Sequence, residues 1–447
     1  MKLRIDKNIY GGDGLARVAE GENAGRAIAV PFTLAGETIE ADVIPSRRPL
    51  AEATLRKILD SSPHRIQAGC IHFGVCGGCQ YQHADYAQQL EVKRSILAET
   101  LSRAGVTAFP QIETHSAEPW GYRNRIRLHV RSGSDGLELG YKRRNSNEFL
   151  PISECPIAAP LLWRAAQAAL RVEASSEQTG RVLPLASELE FFCNNDESEL
   201  LITVYATGPV DNDVFQRWCQ QLTSLVPQLR GAGVEISGPA SARSKRAVAP
   251  AGGPIWGQGS IRYIAADRQY GVSRGAFFQV NRSLVDTLVS IVTEERTGGE
   301  AWDLYAGAGL FSKPLAEKFA RVIAVESALP AADDLRVHLA SAGPAHRAIP
   351  IPVLEFLTSH AARKKVIAPD LIVADPPRAG LGAQVCGALA VIAAPQLIYV
   401  SCDPETLARD LAALIKSGYR IEHLHLVDLF PQTLHLETIA VLHHGTA

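Results

Sequence analysis

No stretch of this 447-residue sequence approaches the roughly 18 consecutive apolar residues needed to cross a bilayer. Its opening, MKLRIDKNIYGGDG, carries charge and glycine where a secretion signal would have an apolar core. A cytoplasmic protein with no membrane partner is therefore expected. A disulfide framework is lacking too, because Cys155, Cys193, Cys219, Cys386 and Cys402 are scattered in no close-set pattern. Nor is there an excess of positive charge. The formal net charge of −2 argues against a nucleic-acid binder on its face, yet a near-neutral total can hide a local basic surface. What is present is 46% hydrophobic residues, enough for two or three domains at roughly 100–200 residues each.

Residues 1–60 alternate short apolar runs (AIAVPF, TIEADVI) with glycine turns (YGGDG, AEGENAG, LAGE). That pattern predicts several short strands in a small barrel, with an ordinary β-appendage as the competing reading. Over 84–104, Leu90, Ile96, Leu97 and Leu101 recur at helical spacing without proline, and Gly105 ends the run.

Residues 121–144 hold Arg123, Arg125, Arg127, Arg131, Lys142, Arg143 and Arg144 against only Asp135 and Glu138. The first four share parity, so on a strand they point to one face. Beside Tyr122, such a row suits phosphate contact and base stacking, as single-stranded RNA requires. A solvated charged face is the alternative. A second basic knot, ARSKR at 242–246, lies in a small-residue segment that reads as a loop.

Past about residue 270 the pattern becomes β-α alternation. AWDLYAGAG, RVIAVES, PDLIVADPP and QLIYVSCDP each read as a strand ending in a polar or glycine-bearing turn. A doubly wound parallel sheet follows, with ligands outside the carboxyl ends of its strands. DLYAGAG at 303–309 puts Gly307 and Gly309 in the first turn, and Glu326, at the next strand end, can bind the hydroxyls of a ribose. Asp375 and Arg378 flank two prolines that hold the chain extended as a pocket wall. Cys402 belongs at the mouth of the same crevice. Glu437 sits among apolar residues, where burial would raise its pKa and suit it to proton transfer.

Cys70, Cys76 and Cys79 form a C-x5-C-x2-C run, which in this setting reads as a metal site. Spacing admits structural zinc and an iron–sulfur cluster equally. It differs from the C-x3-C-x2-C run of radical S-adenosylmethionine enzymes.

In order, the TRAM-like start, CIHFGVCGGCQYQH, YRNRIRLHV, GAFFQVN, DLYAGAGLFS, DPPRAGL, SCDPETLARDL and FPQTLHLET resemble the RNA uridine C5-methyltransferases over nearly the whole chain. The resemblance implies an α/β fold in three parts. A TRAM (OB-like) barrel would span 1–64, and a central α+β iron–sulfur and RNA-binding domain 65–82 and 110–265. A Rossmann-like class I methyltransferase domain would span 83–109 and 266–447. It implies Cys402 as nucleophile and Glu437 as base, with Gln279, Tyr305, Gly307, Gly309, Glu326 and Asp375 binding S-adenosylmethionine or lining its pocket. Cys155 would join Cys70, Cys76 and Cys79 around a [4Fe-4S] cluster, leaving His72 and His83 as neighbours or surface residues. Arg123, Arg125, Arg127 and Arg378 would contact RNA.

The chemistry agrees with those roles. C5 of uracil is too weak a nucleophile to take a methyl group unaided, whereas a thiolate added at C6 makes C5 enolate-like. The base must also leave its stack, at roughly a few kcal/mol. TRAM and cluster together resemble the 23S ribosomal RNA branch more than the transfer-RNA branch. The expected partner is RNA and not DNA, and the expected state is a monomer. Leu310 departs from the polar residue of several relatives, and IPVLEFL at 351–357 lacks an aspartate often found near the adenine. A redox or radical enzyme and a non-catalytic RNA-binding assembly factor are the rival classes.

Overall fold

The computed structural model describes residues 1–447 except 20–23, 45–49, 134–135, 176–180, 237–250, 364–366 and 446–447. Asp135 and the basic knot at 242–246 lie outside the described residues.

Five strands, Lys2–Asn8, Asp13–Arg17, Ala27–Pro31, Thr38–Ile44 and Leu50–Asp60, close into a barrel in the order first, second, third, fifth, fourth. Alternation decides which side chains fill it. Leu3, Ile5, Ile28, Val30, Ile39, Ala41, Ala51 and Ala53 form its buried core, and the residues between them, Ala29 excepted, are more exposed.

The central sheet runs Ala251–Gly257, Leu229–Ile236, Leu200–Ala206, Ala186–Cys193, Arg125–Gly133, Gly136–Lys142 and Phe149–Pro151 across its width. Helices Pro160–Ser175 and Asn212–Leu225 bury Leu161, Leu162, Ala165, Phe215 and Trp218 in the same core as Ile126, Leu128 and Leu189 of the strands.

The C-terminal sheet has the order Arg347–Ile349, Phe319–Val325, Gly298–Leu304, Leu371–Ala374, Gln396–Ser401, Glu437–His444, Tyr419–Val427 and Ile112–His115. Only Glu437–His444 runs antiparallel to its neighbours. The middle strands are apolar throughout because both faces are covered: Leu304, Ile372 and Leu397 enter one core layer, and Ala301, Val373 and Ile398 the other. The doubly wound sheet is the one expected. Among the described residues no helix is long and apolar enough to cross a membrane.

Two expected boundaries move. Ile112–His115, assigned to the central part at 110–265, is the edge strand of the C-terminal sheet. The hairpin Ser260–Ala265 and Arg268–Ser273 straddles the 265/266 division, and its Tyr263, Tyr270 and Val272 share a core with Phe278 and Leu288. A four-residue strand with one buried apolar side chain has no period to read, and a hairpin gives no compositional break.

Helix Tyr86–Arg103 begins where Asp85 accepts a hydrogen bond from the Gln88 N–H, and the chain turns out of it through Gly105 at φ +84°. Mid-helix, Lys93 is fully buried. Its Nζ donates to Asp428 Oδ1 at 2.6 Å and to the Phe430 carbonyl at 2.9 Å. The Gln432 backbone N–H donates to Gln89 Oε1, so this helix holds the segment leading into Glu437.

Candidate active site

The strand Gly298–Leu304 ends in a tight turn with Tyr305, Gly307 and Gly309 all at positive φ, +61°, +54° and +89°. A non-glycine residue in that region is strained, and such strain collects at ligand sites. At Gly309 the positive φ favours glycine, and a Cβ there would stand 2.8 Å from Leu335 Cδ1, which would have to shift. At Gly307 space is open, and its N–H donates to Glu326 Oε2 at 3.0 Å. Glu326 Oε1 accepts from the Ala328 N–H at 2.6 Å, fixing the carboxylate just past the strand Phe319–Val325. Beneath, Asp303 is fully buried and bonded to the Ser312 hydroxyl. Burial pushes its carboxyl up to about 7, with Ser312 opposing.

Asp375 follows the strand Leu371–Ala374 and receives the Gln279 side-chain amide at 3.4 Å. Cys402 follows the strand Gln396–Ser401. Next to it, Asp403 caps the helix Pro404–Lys416, accepting from the Glu405 and Thr406 N–H groups at 3.1 and 2.9 Å. Tyr10 of the barrel donates to that same aspartate, at 2.9 Å. Ser401 pairs with Thr438 in the antiparallel ladder, and this register sets Cys402 opposite Glu437.

Gln279, Tyr305, Gly307, Glu326, Asp375, Arg378, Cys402 and Glu437 thus line one cavity of about 680 Å³, ample for a nucleoside cofactor and a base. Gly309 shapes the turn without lining it. The sequence reading missed Phe277, Phe430 and His435, which line the same cavity. All three lay inside quoted motifs, but nothing in spacing separates a pocket aromatic from a core one. Phe277 is 62% exposed. Arg378 Nη2 lies 3.0 Å from His435 Nδ1, and burial, with the Arg378 charge next, lowers that imidazole to about 4.

Electrostatics disfavour negative charge at the centre of the pocket. Burial pushes the Cys402 thiol up to about 12, the charges of Glu437 and Asp375 add to it, and Arg378 opposes. Burial likewise holds Glu437 well above the usual carboxylate range, with Asp375 adding, and raises Asp375 with Asp303 adding. A cation entering beside these groups favours ionisation of all three.

Cys70, Cys76, Cys79 and Cys155 are free thiols around a second cavity of about 540 Å³ that shares no lining residue with the first. The Gly77 N–H donates to the Lys142 carbonyl, and Arg144 N–H to that of Val75, tying this loop to the end of the strand Gly136–Lys142. Among the described residues no three of these sulfurs lie within 4.8 Å of one another. Arg123 lines the cavity, and its buried Nε has no hydrogen-bond partner. His72 accepts from the Ser153 N–H at 3.0 Å. His83 is buried and stacked on Phe73, so it is no surface residue. Cys193, Cys219 and Cys386 are buried.

Arg125, Arg127 and Arg131 do share one face of Arg125–Gly133, but they are not a bare cationic row. The neighbouring strand brings Glu190 to Arg125, at 3.3 Å, and Glu188 to Arg127, while Glu138 meets Arg131 at 3.1 Å. Phe192, Tyr205 and Phe149 stack under the three guanidiniums at 4.1, 3.7 and 4.3 Å. Arg125 is left with a 16% exposed side chain and Arg127 with 47%. Counting charge along the chain missed acids supplied from some 60 residues away, across the sheet.

Comparison with known proteins gives the family. The family model for tRNA (uracil-5-)-methyltransferase matches residues 85–343 and 354–444. A 23S rRNA (uracil(1939)-C(5))-methyltransferase of Halomonas elongata is 31% identical over 99% of this chain and 89% of its own length. That of Pseudomonas fluorescens is 30% identical over 98% and 93%. The crystal structure of the Pyrococcus abyssi tRNA (uracil-54, C5)-methyltransferase with S-adenosyl-L-homocysteine superposes with a TM-score of 0.73 at 25% identity, covering 99% of this chain and 100% of that one. A family match over most of the sequence, together with full-length relatives at about 30% identity, leads to one conclusion: the chain belongs to the tRNA (uracil-5-)-methyltransferase family and is an RNA uracil C5-methyltransferase.

Proposed function

We propose that this enzyme methylates C5 of a uridine in 23S ribosomal RNA, with Cys402 as nucleophile and Glu437 as base. The observation that carries the roles is the ladder register that sets Cys402 opposite Glu437 inside the cavity bearing Gly307 and Glu326. S-adenosylmethionine, when bound, supplies the electrophilic methyl group that C5 takes. Glu326 holds the ribose hydroxyls, Gly307 lets the ligand approach the backbone, and Gln279, Tyr305 and Asp375 wall the space between cofactor and base. Cys402 Sγ bonds to C6 and the displaced electron pair makes C5 nucleophilic. Glu437 then accepts the C5 proton, and the C–H electrons re-form the ring double bond as the thiolate leaves.

The ribosomal substrate rests on the full-length relatives, and a transfer RNA is the second reading, favoured by the Pyrococcus likeness. Incubating the purified enzyme with methyl-labelled cofactor and either 23S or transfer RNA separates them. Mapped 5-methyluridine is expected in the 23S transcript, and label confined to transfer RNA overturns that choice. RNA contacts are proposed at the TRAM-like barrel, at half-exposed Arg127, and at Arg378 and Phe277 by the pocket mouth, where an aromatic face can stack a base. Arg125 contributes by holding its strand. The enzyme is proposed to act as a cytoplasmic monomer.

For Cys70, Cys76, Cys79 and Cys155, a [4Fe-4S] cluster fits better than one zinc ion. Tetrahedral zinc with Zn–S near 2.3 Å needs sulfurs about 3.8 Å apart, closer than the spread of these thiols supports. Arg123, with its unpartnered Nε, complements an anionic cluster. The separate cavities favour a structural role, joining the loop at 70–79 to the strands that carry Arg127. Cys79→Ser is accordingly expected to lose the cluster and weaken RNA binding by about tenfold or more, read by iron content and filter binding. Unchanged affinity in iron-free, folded protein refutes the structural role, and reductant-dependent turnover would favour the redox rival.

A further inference from the structure

The strands Ile112–His115 and Tyr419–Val427 pair in parallel with Glu113 opposite His425 and His115 opposite Val427. Paired residues and their i+2 neighbours share a sheet face, so Glu113, His115, His423 and His425 converge at the sheet edge. His115 Nε2 lies 3.2 Å from His425 Nδ1, which is 3.6 Å from Glu113 Oε2. His423 Nδ1 is 3.4 Å from Glu113 Oε1. One ligand atom each from Glu113, His423 and His425 falls within 4.8 Å of the others.

We propose that Glu113, His423 and His425, with His115 beside them, form a zinc-class divalent metal site, distinct from the active site and from the cysteine cavity. Ligands about 2.0–2.1 Å from a tetrahedral Zn²⁺ stand about 3.3 Å apart, and the His423–Glu113 and His425–Glu113 separations lie close to that edge length. Two imidazoles and a carboxylate, with water completing the set, are ligands that zinc takes. Ordinary ion pairing explains the set less well. One ring nitrogen of His425 is shared between His115 and Glu113, while His423 stacks on His425 with centroids 5.9 Å apart and also turns to Glu113.

Burial lowers His115 and His425, which disfavours the charged rings that would repel a cation. Arg296 is the cation facing His425, and Glu295 and Glu422 lie beside that arginine. Glu422 also pairs with His443 at 2.6 Å. His425 is 9% exposed at the floor, whereas Glu113 and His423 are half exposed, so an ion can enter from solvent. None of the four lines either large cavity. Occupancy would clamp an edge strand that has a single neighbour to a strand more than 300 residues away in the chain.

The test is titration of the full-length, cluster-loaded enzyme with Co²⁺, then Zn²⁺. One equivalent of Co²⁺ is expected to give the visible ligand-field bands of four-coordinate nitrogen and oxygen ligation without sulfur charge-transfer bands. Zn²⁺ should displace it and raise the thermal midpoint. His423→Gln and Glu113→Gln, at half-exposed positions that fold independently of the metal, should each weaken Co²⁺ at least about tenfold and remove the Zn²⁺ shift without changing methylation rate. Unchanged affinity in both variants, sulfur bands that disappear in Cys70→Ser, or no binding at equimolar metal would each overturn the proposal.

Discussion

Cys402→Ala is expected to reduce 5-methyluridine formation by about 10⁴-fold or more, since removing a nucleophile ends covalent activation and leaves only binding effects. RNA affinity should stay near that of the native chain, because the side chain lies within the cavity and takes no part in the proposed surface contacts. Single-turnover transfer of labelled methyl, alongside filter binding, separates the two quantities. Turnover near the native rate would remove Cys402 from the mechanism. The native enzyme adds a pH signature. With burial holding the thiol up to about 12, the thiolate fraction of free enzyme rises tenfold per pH unit through neutrality. Glu437, also raised by burial, ionises in the same direction, so kcat/KM should climb with pH on the acid side and not fall.

Glu437→Gln should trap RNA on the protein. The amide cannot accept the C5 proton, and without that proton's departure the electrons needed to expel Cys402 never return to the ring. Turnover should drop by about 10²–10⁴-fold, and an RNA–protein adduct should survive denaturing electrophoresis, absent in the double variant with Cys402→Ala. Folding should be little affected. Burial favours the neutral form of this carboxyl, and glutamine reproduces its shape without a charge. Native turnover with no adduct would assign proton removal elsewhere, Asp375 being the nearest alternative in the cavity.

Most of this pocket could be read from the sequence because a parallel sheet writes its strands as apolar runs and its ligand groups as the polar residues that end them. Glu326, Asp375 and Cys402 each follow such a run directly. The barrel was legible for the related reason that its inward residues alternate. What failed was everything set by partners distant in the chain. Glu188 and Glu190 neutralise arginines that looked unpaired locally, and Ile112–His115 gives no periodic sign of the sheet it joins. Lys93 and Gln89, more than 330 residues earlier, bond the Phe430 carbonyl and the Gln432 N–H in the segment that brings Phe430 and His435 to the cavity.

The buried Lys93–Asp428 pair bears on how the protein is made. Its members are 335 residues apart, and a ribosome adding roughly 5–20 residues per second delivers the aspartate about 20–70 s after the lysine. Through that interval the helix Tyr86–Arg103 is complete yet has neither its counter-charge nor the sheet it covers. The catalytic part therefore cannot close until Asp428 and the strands around it have been made. It must assemble late, around a helix made more than 300 residues earlier, while the barrel, whose strands span residues 2–60, can already be folded.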